Sequence, residues 1–268
     1  MTVNTFARGG TAPRARTGAA HVVLPAFNEE GSLPPLLVRL AAMSAAWGTP
    51  VTVWVVDDGS TDRTAALVLA GCPGLDVRLV SHPVNLGLGQ AVHSGLRAVL
   101  ASAADEDVLM IMDADDTHDV HLVPQMWAAT DGGADLVIAS RFVGGGDDRT
   151  APLFRRALSR GAAGLFRLAL PLDGIHDFTS GYRAYRVSLL RRASSHYGER
   201  LVEEQGFACM VELLLKLRHC KPVVAEVPLV LRYDRKQGAS KLRLRRTIAQ
   251  YLRLLLRDRL APPPFRGL

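Results

Sequence analysis

An α/β fold, with a mainly parallel, doubly wound sheet covered by helices on both faces, is what this sequence predicts. Three observations carry the expectation. Short apolar segments recur along the first half of the chain, each followed by a stretch of helical period. Those segments are near-continuously apolar, as strands buried on both faces must be. Polar and acidic residues fall repeatedly at their carboxyl ends, which in such a sheet form one edge where ligands bind.

His21 to Leu24 reads as the first strand, ending in Pro25-Ala26-Phe27-Asn28-Glu29-Glu30. Ser32 is placed to cap a helix with Pro34 and Pro35 in its first turn, where their missing N–H groups cost little. Val51 to Val56 is the second strand, followed by Asp57-Asp58-Gly59-Ser60, with Ser60, Thr61 and Asp62 as caps for a helix through Ala65 to Ala70. Val77 to Val80 leads to Asn85-Leu86-Gly87-Leu88-Gly89 and a helix to about Ala101. Val108 to Met112 is the fourth strand and ends in Asp113-Ala114-Asp115-Asp116. Leu136 to Ala139 is the fifth, followed by Ser140-Arg141 and a glycine run. Glu29, Asp57, Asp58, Asp113, Asp115 and Arg141 therefore converge on one cleft.

Side chains alternate along an extended chain, so Asp113 and Asp115 point the same way and can grip one hard cation. An EF-hand loop fails on spacing, since His118 stands where Gly is needed and Pro124 where Glu is needed. Gly87 and Gly89 lack the third glycine and the acidic partner of a dinucleotide fingerprint. His118 and His121, three apart, read as a helix start rather than as ligands. Oxygen donors without a His/Cys cluster favour Mg²⁺ or Mn²⁺ over zinc.

The composition sets the class. At 268 residues and 48% hydrophobic content the chain can bury one substantial core. The three cysteines have no metal spacing, which with the absence of a signal-like apolar stretch leads to a cytoplasmic expectation. Residues 1–20 carry Arg8, Arg14 and Arg16 among small residues and read as a disordered tail. The net charge is +6, yet from Arg232 onward eleven Arg and Lys oppose two Asp, giving +9 there and −3 elsewhere. Few aromatics accompany that basic end, which argues against nucleic acid and for an anionic surface or phosphate. No run of about 18 apolar residues is present. Leu244 to Leu260 reads as a helix with Leu244, Ile248, Leu252 and Leu255 on one face and Arg246, Gln250, Arg253 and Arg257 on another. Its arginines exclude a bilayer crossing and leave two options, lying on a membrane surface or packing on the domain.

Pro25-Ala26-Phe27-Asn28-Glu29, Val55-Val56-Asp57-Asp58-Gly59-Ser60-Thr61-Asp62, Asn85-Leu86-Gly87 and Asp113-Ala114-Asp115 together resemble the signature of family-2 glycosyltransferases of the GT-A fold. Asp177 to Arg183, Gly206-Phe207 with Glu212, and Arg235 to Lys241 resemble the polyprenyl-phosphate mannosyltransferase branch. The resemblance implies a GT-A domain over residues 21–241, followed by a basic amphipathic helix and tail over 242–268. It implies Pro25, Phe27, Glu29 and Asp57 or Asp58 as the base and ribose pocket, and Asp113 and Asp115 as metal and diphosphate residues. Arg141, Arg235, Ser240 and Lys241 become phosphate residues, with Ser180 of the same branch block among the acceptor contacts. The branch carries Gln two residues after the second Asp; here Thr117 stands there, as a direct or water-mediated metal contact.

The expected reaction is inverting, metal-dependent transfer of a hexose, mannose from GDP-mannose, to a polyprenyl phosphate by an enzyme peripheral to the membrane. Asp115, Arg141, Arg235 and Lys241 would carry catalysis. A phosphate acceptor is already anionic at pH 7 and needs cations rather than a base. A hydroxyl acceptor needs a general base, for which Glu203 and Glu204 are candidates unless they merely open a helix. A non-catalytic nucleotide-sugar-binding module is the rival from another class.

Overall fold

A computed structural model describes residues 3–5, 18–169, 174–235 and 244–260. Among the described residues eight strands form one sheet: β1 (Val3–Thr5), β2 (Ala20–Ala26), β3 (Val51–Asp57), β4 (Asp76–Ser81), β5 (Val108–Ile111), β6 (Leu136–Ser140), β7 (Arg183–Arg186) and β8 (Val224–Pro228). Their spatial order is β1-β8-β6-β7-β5-β2-β3-β4. Every pairing is parallel except those of β7, which runs antiparallel between β5 and β6. The carboxyl ends of β2, β3, β5 and β6 thus share one edge, as the sequence pattern requires.

Among the described residues the α-helices are α1 (Leu33–Trp47), α2 (Thr64–Leu69), α3 (Leu88–Leu100), α4 (Val123–Asp131), α5 (Leu153–Ala169), α6 (Val187–Tyr197), α7 (Cys209–Leu217) and α8 (Leu244–Leu260). Strand alternation sorts the core into two layers. Val22, Leu24, Met110 and Met112 meet Leu36 and Leu40 of α1 and Met126 of α4. Val23, Leu109 and Ile111 meet Leu96 of α3, Phe166 of α5, Leu213 of α7 and Leu254 of α8. Each such fully buried side chain contributes roughly 1.5–3 kcal/mol of transfer free energy. The layers are close: an ideal Cβ on Gly95 of α3 would lie 2.4 Å from Val23 Cγ1 and 3.2 Å from Val56 Cγ2. Even Ala there would push α3 off the sheet.

Three local expectations are adjusted. Val3–Thr5, inside the stretch read as a tail, pairs with Val224–Glu226 as an edge strand; three backbone pairings suffice where the sequence shows no alternation to find. Ser32 precedes α1 without a side-chain cap bond, its backbone being already helical rather than extended. Asp62 is the working cap of α2, accepting from Thr64 N at 2.9 Å.

Helix α8 has the bounds read from the sequence but docks with a different face. Thr247, Gln250, Tyr251, Leu254, Leu255 and Asp258 are buried. Ile248, Leu252, Leu256 and Leu260 are exposed. Tyr251 packs edge-on against Phe166 of α5, with centroids 5.1 Å apart. Asp258 pairs with Arg218, and Arg257 with Glu203 and Glu212, so charged side chains secure the helix beside its apolar contacts.

Candidate active site

The loops after β2 and β3 are sewn together by short polar side chains. Asn28 adopts a left-handed conformation (φ 53°), which Asn tolerates better than most residues. Its Oδ1 accepts from Thr61 N at 2.8 Å, and its own N–H donates to Ser60 Oγ at 2.9 Å. Glu29 N donates to Thr64 Oγ1, and Glu29 and Asp57 are both buried beside this seam. Pro25 sits in β2 just beyond the last β5 partner, Val23, where its missing N–H breaks no ladder bond on that side. Phe27 follows, half-buried.

The two adjacent carboxylates after β3 have different surroundings. Asp58 accepts from Leu86 N at 2.9 Å, from Gly87 N at 2.8 Å and from His82 Nδ1 at 2.7 Å. Both its oxygens are engaged in shaping the Asn85-Leu86-Gly87 loop, with Ser94 Oγ 2.9 Å from the far nitrogen of His82. Asp57 accepts one backbone bond, from Ser60 N, through Oδ1. That loop opens α3, and Gly89 N donates to Gln205 O at 3.0 Å. An ideal Cβ on Gly89 would sit 1.7 Å from Glu204 O, so only glycine lets the 203–205 segment close over this end of the cleft.

After β5 the three carboxylates separate. Asp113 keeps 35% of its side-chain surface exposed. Asp115 is buried, and its Oδ1 accepts from Thr117 N at 3.2 Å and Thr117 Oγ1 at 2.7 Å. Asp116, in the left-handed region (φ 62°), turns away to pair with Arg39 of α1. His118 is buried and its Nδ1 accepts from Asp113 N at 3.0 Å. His121 is exposed.

After β6, Arg141 is forked onto Asp177, with Nε to Oδ2 and Nη2 to Oδ1 both 2.8 Å. Thr179 Oγ1 lies 2.8 Å from Nη2, and Ser159 of α5 is 3.4 Å from Nη1. Burial alone would raise the Asp177 carboxyl, but the Arg141 charge and hydrogen bonds pull it below the ordinary carboxylate range. Glu226 of β8 braces the turn by accepting from His176 N and Asp177 N, both at 3.0 Å. Nearby, Arg156 and Arg160 of α5 hold buried Asp148. Ser180 is buried, its hydroxyl donating to Ala139 O at 2.7 Å. Thr179 belongs to the Asp177–Arg183 block, whereas Ser159, Asp148, Arg156 and Arg160 stand outside every motif of the sequence, with no local spacing to mark them.

Arg232 N donates to Thr117 O at 3.0 Å, so the segment ending in Arg235 is tied to the Asp115 turn. Ser240 and Lys241 lie outside the described residues. Glu203 is held by Lys216 at 2.9 Å and Arg257 at 3.3 Å. Burial would raise its carboxyl, yet those cations and Arg200 hold it below its ordinary value. Glu204 is buried, 3.9 Å from Arg253.

The family model "Glycosyl transferase family 2" matches residues 21–193, spanning every strand-end motif described above. The chain belongs to that family. Among curated relatives, a dolichol-phosphate mannosyltransferase of Pyrococcus furiosus is 32% identical over 88% of this chain. The chain spans 62% of that relative's length. A polyprenol monophosphomannose synthase of Mycolicibacterium smegmatis is 34% identical over 82% of this chain and 80% of its own. In solved structures, glucosyl-3-phosphoglycerate synthase of Mycobacterium tuberculosis with Mg²⁺ and UDP superposes with a TM-score of 0.67 at 23% identity. The match covers 94% of this chain and 86% of that one. The fold is GT-A, and the chain is a family-2 glycosyltransferase, an enzyme.

Proposed function

We propose that this enzyme transfers mannose from GDP-mannose to a polyprenyl phosphate at the cytoplasmic membrane face, with inversion and with Mg²⁺ or Mn²⁺. Among the described residues no cluster of three His, Cys, Asp or Glu could hold a metal alone. Asp113 and Asp115 fit the other arrangement, in which one or two carboxylates share a hard cation with substrate phosphates. Thr117 supports it by orienting Asp115. Bound there, the ion would supply Lewis-acid charge to the departing diphosphate.

In this reading Pro25, Phe27, Glu29 and Asp57 frame the base and ribose, while Asp58 shapes the wall beside them. Arg141, Arg235, Ser240 and Lys241 place the acceptor phosphate, with Arg156, Arg160 and Ser159 close to Arg141. One phosphate oxygen bonds to the anomeric carbon as the sugar–diphosphate bond breaks, so a single displacement inverts that carbon. No proton has to be removed from the acceptor.

The observation that favours the phosphate acceptor is the state of Glu203, one of the two acidic candidates for a base; the other, Glu204, is buried beside Arg253. The Glu203 carboxylate is ion-paired and its proton affinity lowered, the opposite of what a general base near neutrality needs. The names of the relatives support the same acceptor class. The outer face of α8 supports membrane contact: Ile248, Leu252, Leu256 and Leu260 are flanked by exposed Arg253 and Arg259. No helix among the described residues is long and apolar enough to cross a membrane. The test offers radiolabelled GDP-mannose with a short polyprenyl phosphate, then with the dephosphorylated alcohol. Transfer to the phosphate alone is expected; equal transfer to both overturns the reading.

A further inference from the structure

We infer that His118 is a positioning residue for Asp113, setting the strand-end carboxylate through a single fixed tautomer. Strand β5 ends at Ile111, and Met112 N still finds Val23 O at 3.2 Å. Asp113 N leaves the ladder and donates to His118 Nδ1 at 3.0 Å. An amide N–H can only donate, so Nδ1 carries the lone pair and the ring proton sits on Nε2. That N–H face lies 3.8 Å from Asp113 Oδ2. The separation is too long for a hydrogen bond but close enough for the ring dipole to orient the carboxylate.

The imidazole is held from outside the turn as well. It is buried and stacks on Tyr182, with centroids 4.9 Å apart and planes 14° from parallel. Tyr182 is fully buried, and its hydroxyl donates to Asp119 O at 3.3 Å. Just before Tyr182, an ideal Cβ on Gly181 would lie 3.4 Å from Asp113 Oδ1, so the bare glycine leaves that oxygen room. The ring thus accepts from the backbone of Asp113 and lies beside its Oδ2, while 35% of the side chain stays exposed. Thr117 clamps Asp115 by a separate pair of bonds. The two carboxylates are oriented independently, and His118 answers for the first. Side chains that hold a metal-binding carboxylate in place tune metal affinity about ten- to a hundredfold.

This inference rests on the metal reading of Asp113 and Asp115, and the experiment separates the two. Mn²⁺ is titrated by electron paramagnetic resonance into the full chain with GDP or UDP, whichever raises the native melting temperature. His118→Asn places an amide oxygen near the Nδ1 position and can still accept from Asp113 N. His118→Gln reaches the Nε2 position but leaves that N–H unmet, and His118→Ala removes both. The Asn variant should bind Mn²⁺ within a few-fold of native, and the Gln and Ala variants about ten- to a hundredfold more weakly. Their donor KM should rise while acceptor KM holds. Native-like Mn²⁺ binding by Gln and Ala overturns the role of His118, as does an Asn variant as weak as Ala. Should Ala fail to fold, the Asn and Gln pair decides. Native-like Mn²⁺ binding by Asp115→Asn sinks the metal reading itself, and this inference with it.

Discussion

The two halves of the sheet solve the same problem, a charged group at a strand end, in opposite ways. On the side of β2, β3 and β5 the charges are carboxylates satisfied mainly by nearby backbone N–H groups and hydroxyls: Asp58 by Leu86 and Gly87, Asp115 by Thr117, Asp57 by Ser60. After β6 the charge is Arg141, satisfied by the buried Asp177 from a remote segment, and the helices repeat that pattern: Arg257 of α8 pairs with Glu212 of α7, and Arg218, just past α7, with Asp258 of α8. A carboxylate held by amides keeps its negative charge available to a cation. A guanidinium forked onto a buried carboxylate is rigidly aimed, and removing one partner leaves the other's charge buried. Changes in the first half should therefore affect binding and chemistry, and changes in the second should affect stability first.

The largest effect expected is on catalysis. Asp115→Asn should lower kcat/KM at least about a thousandfold, because loss of several kcal/mol of charge stabilisation counts a decade for each ~1.4 kcal/mol. Its melting temperature should stay near native, and EDTA should silence the native enzyme. Full activity after exhaustive chelation would erase the proposed contrast between the halves. Next comes Asp177→Asn, which leaves Arg141 buried without its counter-charge and should cost roughly 3–5 kcal/mol in urea unfolding. The folded carboxyl lies below its ordinary value, so the stabilisation is complete above about pH 4 and fades as pH falls through the lower folded value. Native and variant curves should converge in acid; a gap unchanged down to pH 2 would show that the ion pair is not its source.

This division also explains what the sequence made legible. The Asp57-Asp58, Asp113-x-Asp115 and Asn85-Leu86-Gly87 stretches stand at strand ends, and the strands are readable from apolar runs. Topology then places them on one edge with no further information. The antiparallel β7 and short β8 were not read, since Arg183–Arg186 carries two arginines and Val224–Pro228 a glutamate. That glutamate, Glu226, braces a turn 50 positions away in the chain. The bonds of Arg141 to Asp177 and of Arg257 to Glu212 span 36 and 45 positions. No periodicity marks such pairs. Which face of α8 docks is not legible for the same reason: the partners of Asp258 and Arg257 lie 40 and 45 positions away.

The pair after β3 sharpens the contrast inside the donor half. Asp57→Asn should weaken nucleoside diphosphate binding by calorimetry with little change in melting temperature. Asp58→Ala strips acceptors from Leu86 N and Gly87 N. It should cost about 1–3 kcal/mol of stability for the unmet donors and loosen binding only indirectly. If Asp58→Ala proves the weaker binder of the two at unchanged stability, the assignment of ligand wall and loop brace is reversed.

The smallest effects belong to the outer face of α8, where the basic half meets solvent. Arg257 points inward to Glu203 and Glu212, whereas Arg253 and Arg259 are exposed beside Ile248, Leu252, Leu256 and Leu260. Arg257→Ala removes a charge-assisted contact from the network holding the 203–204 backbone and should cost roughly 1.5–3 kcal/mol of folding stability. Arg253→Ala and Arg259→Ala should leave folding within about 0.5 kcal/mol, as exposed charges usually do. Against vesicles of anionic lipid each should instead lose about 1 kcal/mol, near a fivefold fall in partitioning. Because those charges act from solvent, raising salt from low ionic strength to about 0.5 M should compress the difference between native and variant. The apolar stripe responds differently. Leu252→Ser should weaken vesicle binding at every salt concentration, since burial of a side chain in the interface is not screened. If Arg253→Ala and Leu252→Ser leave vesicle binding unchanged while Arg257→Ala abolishes it, the docked face rather than the exposed one governs membrane contact.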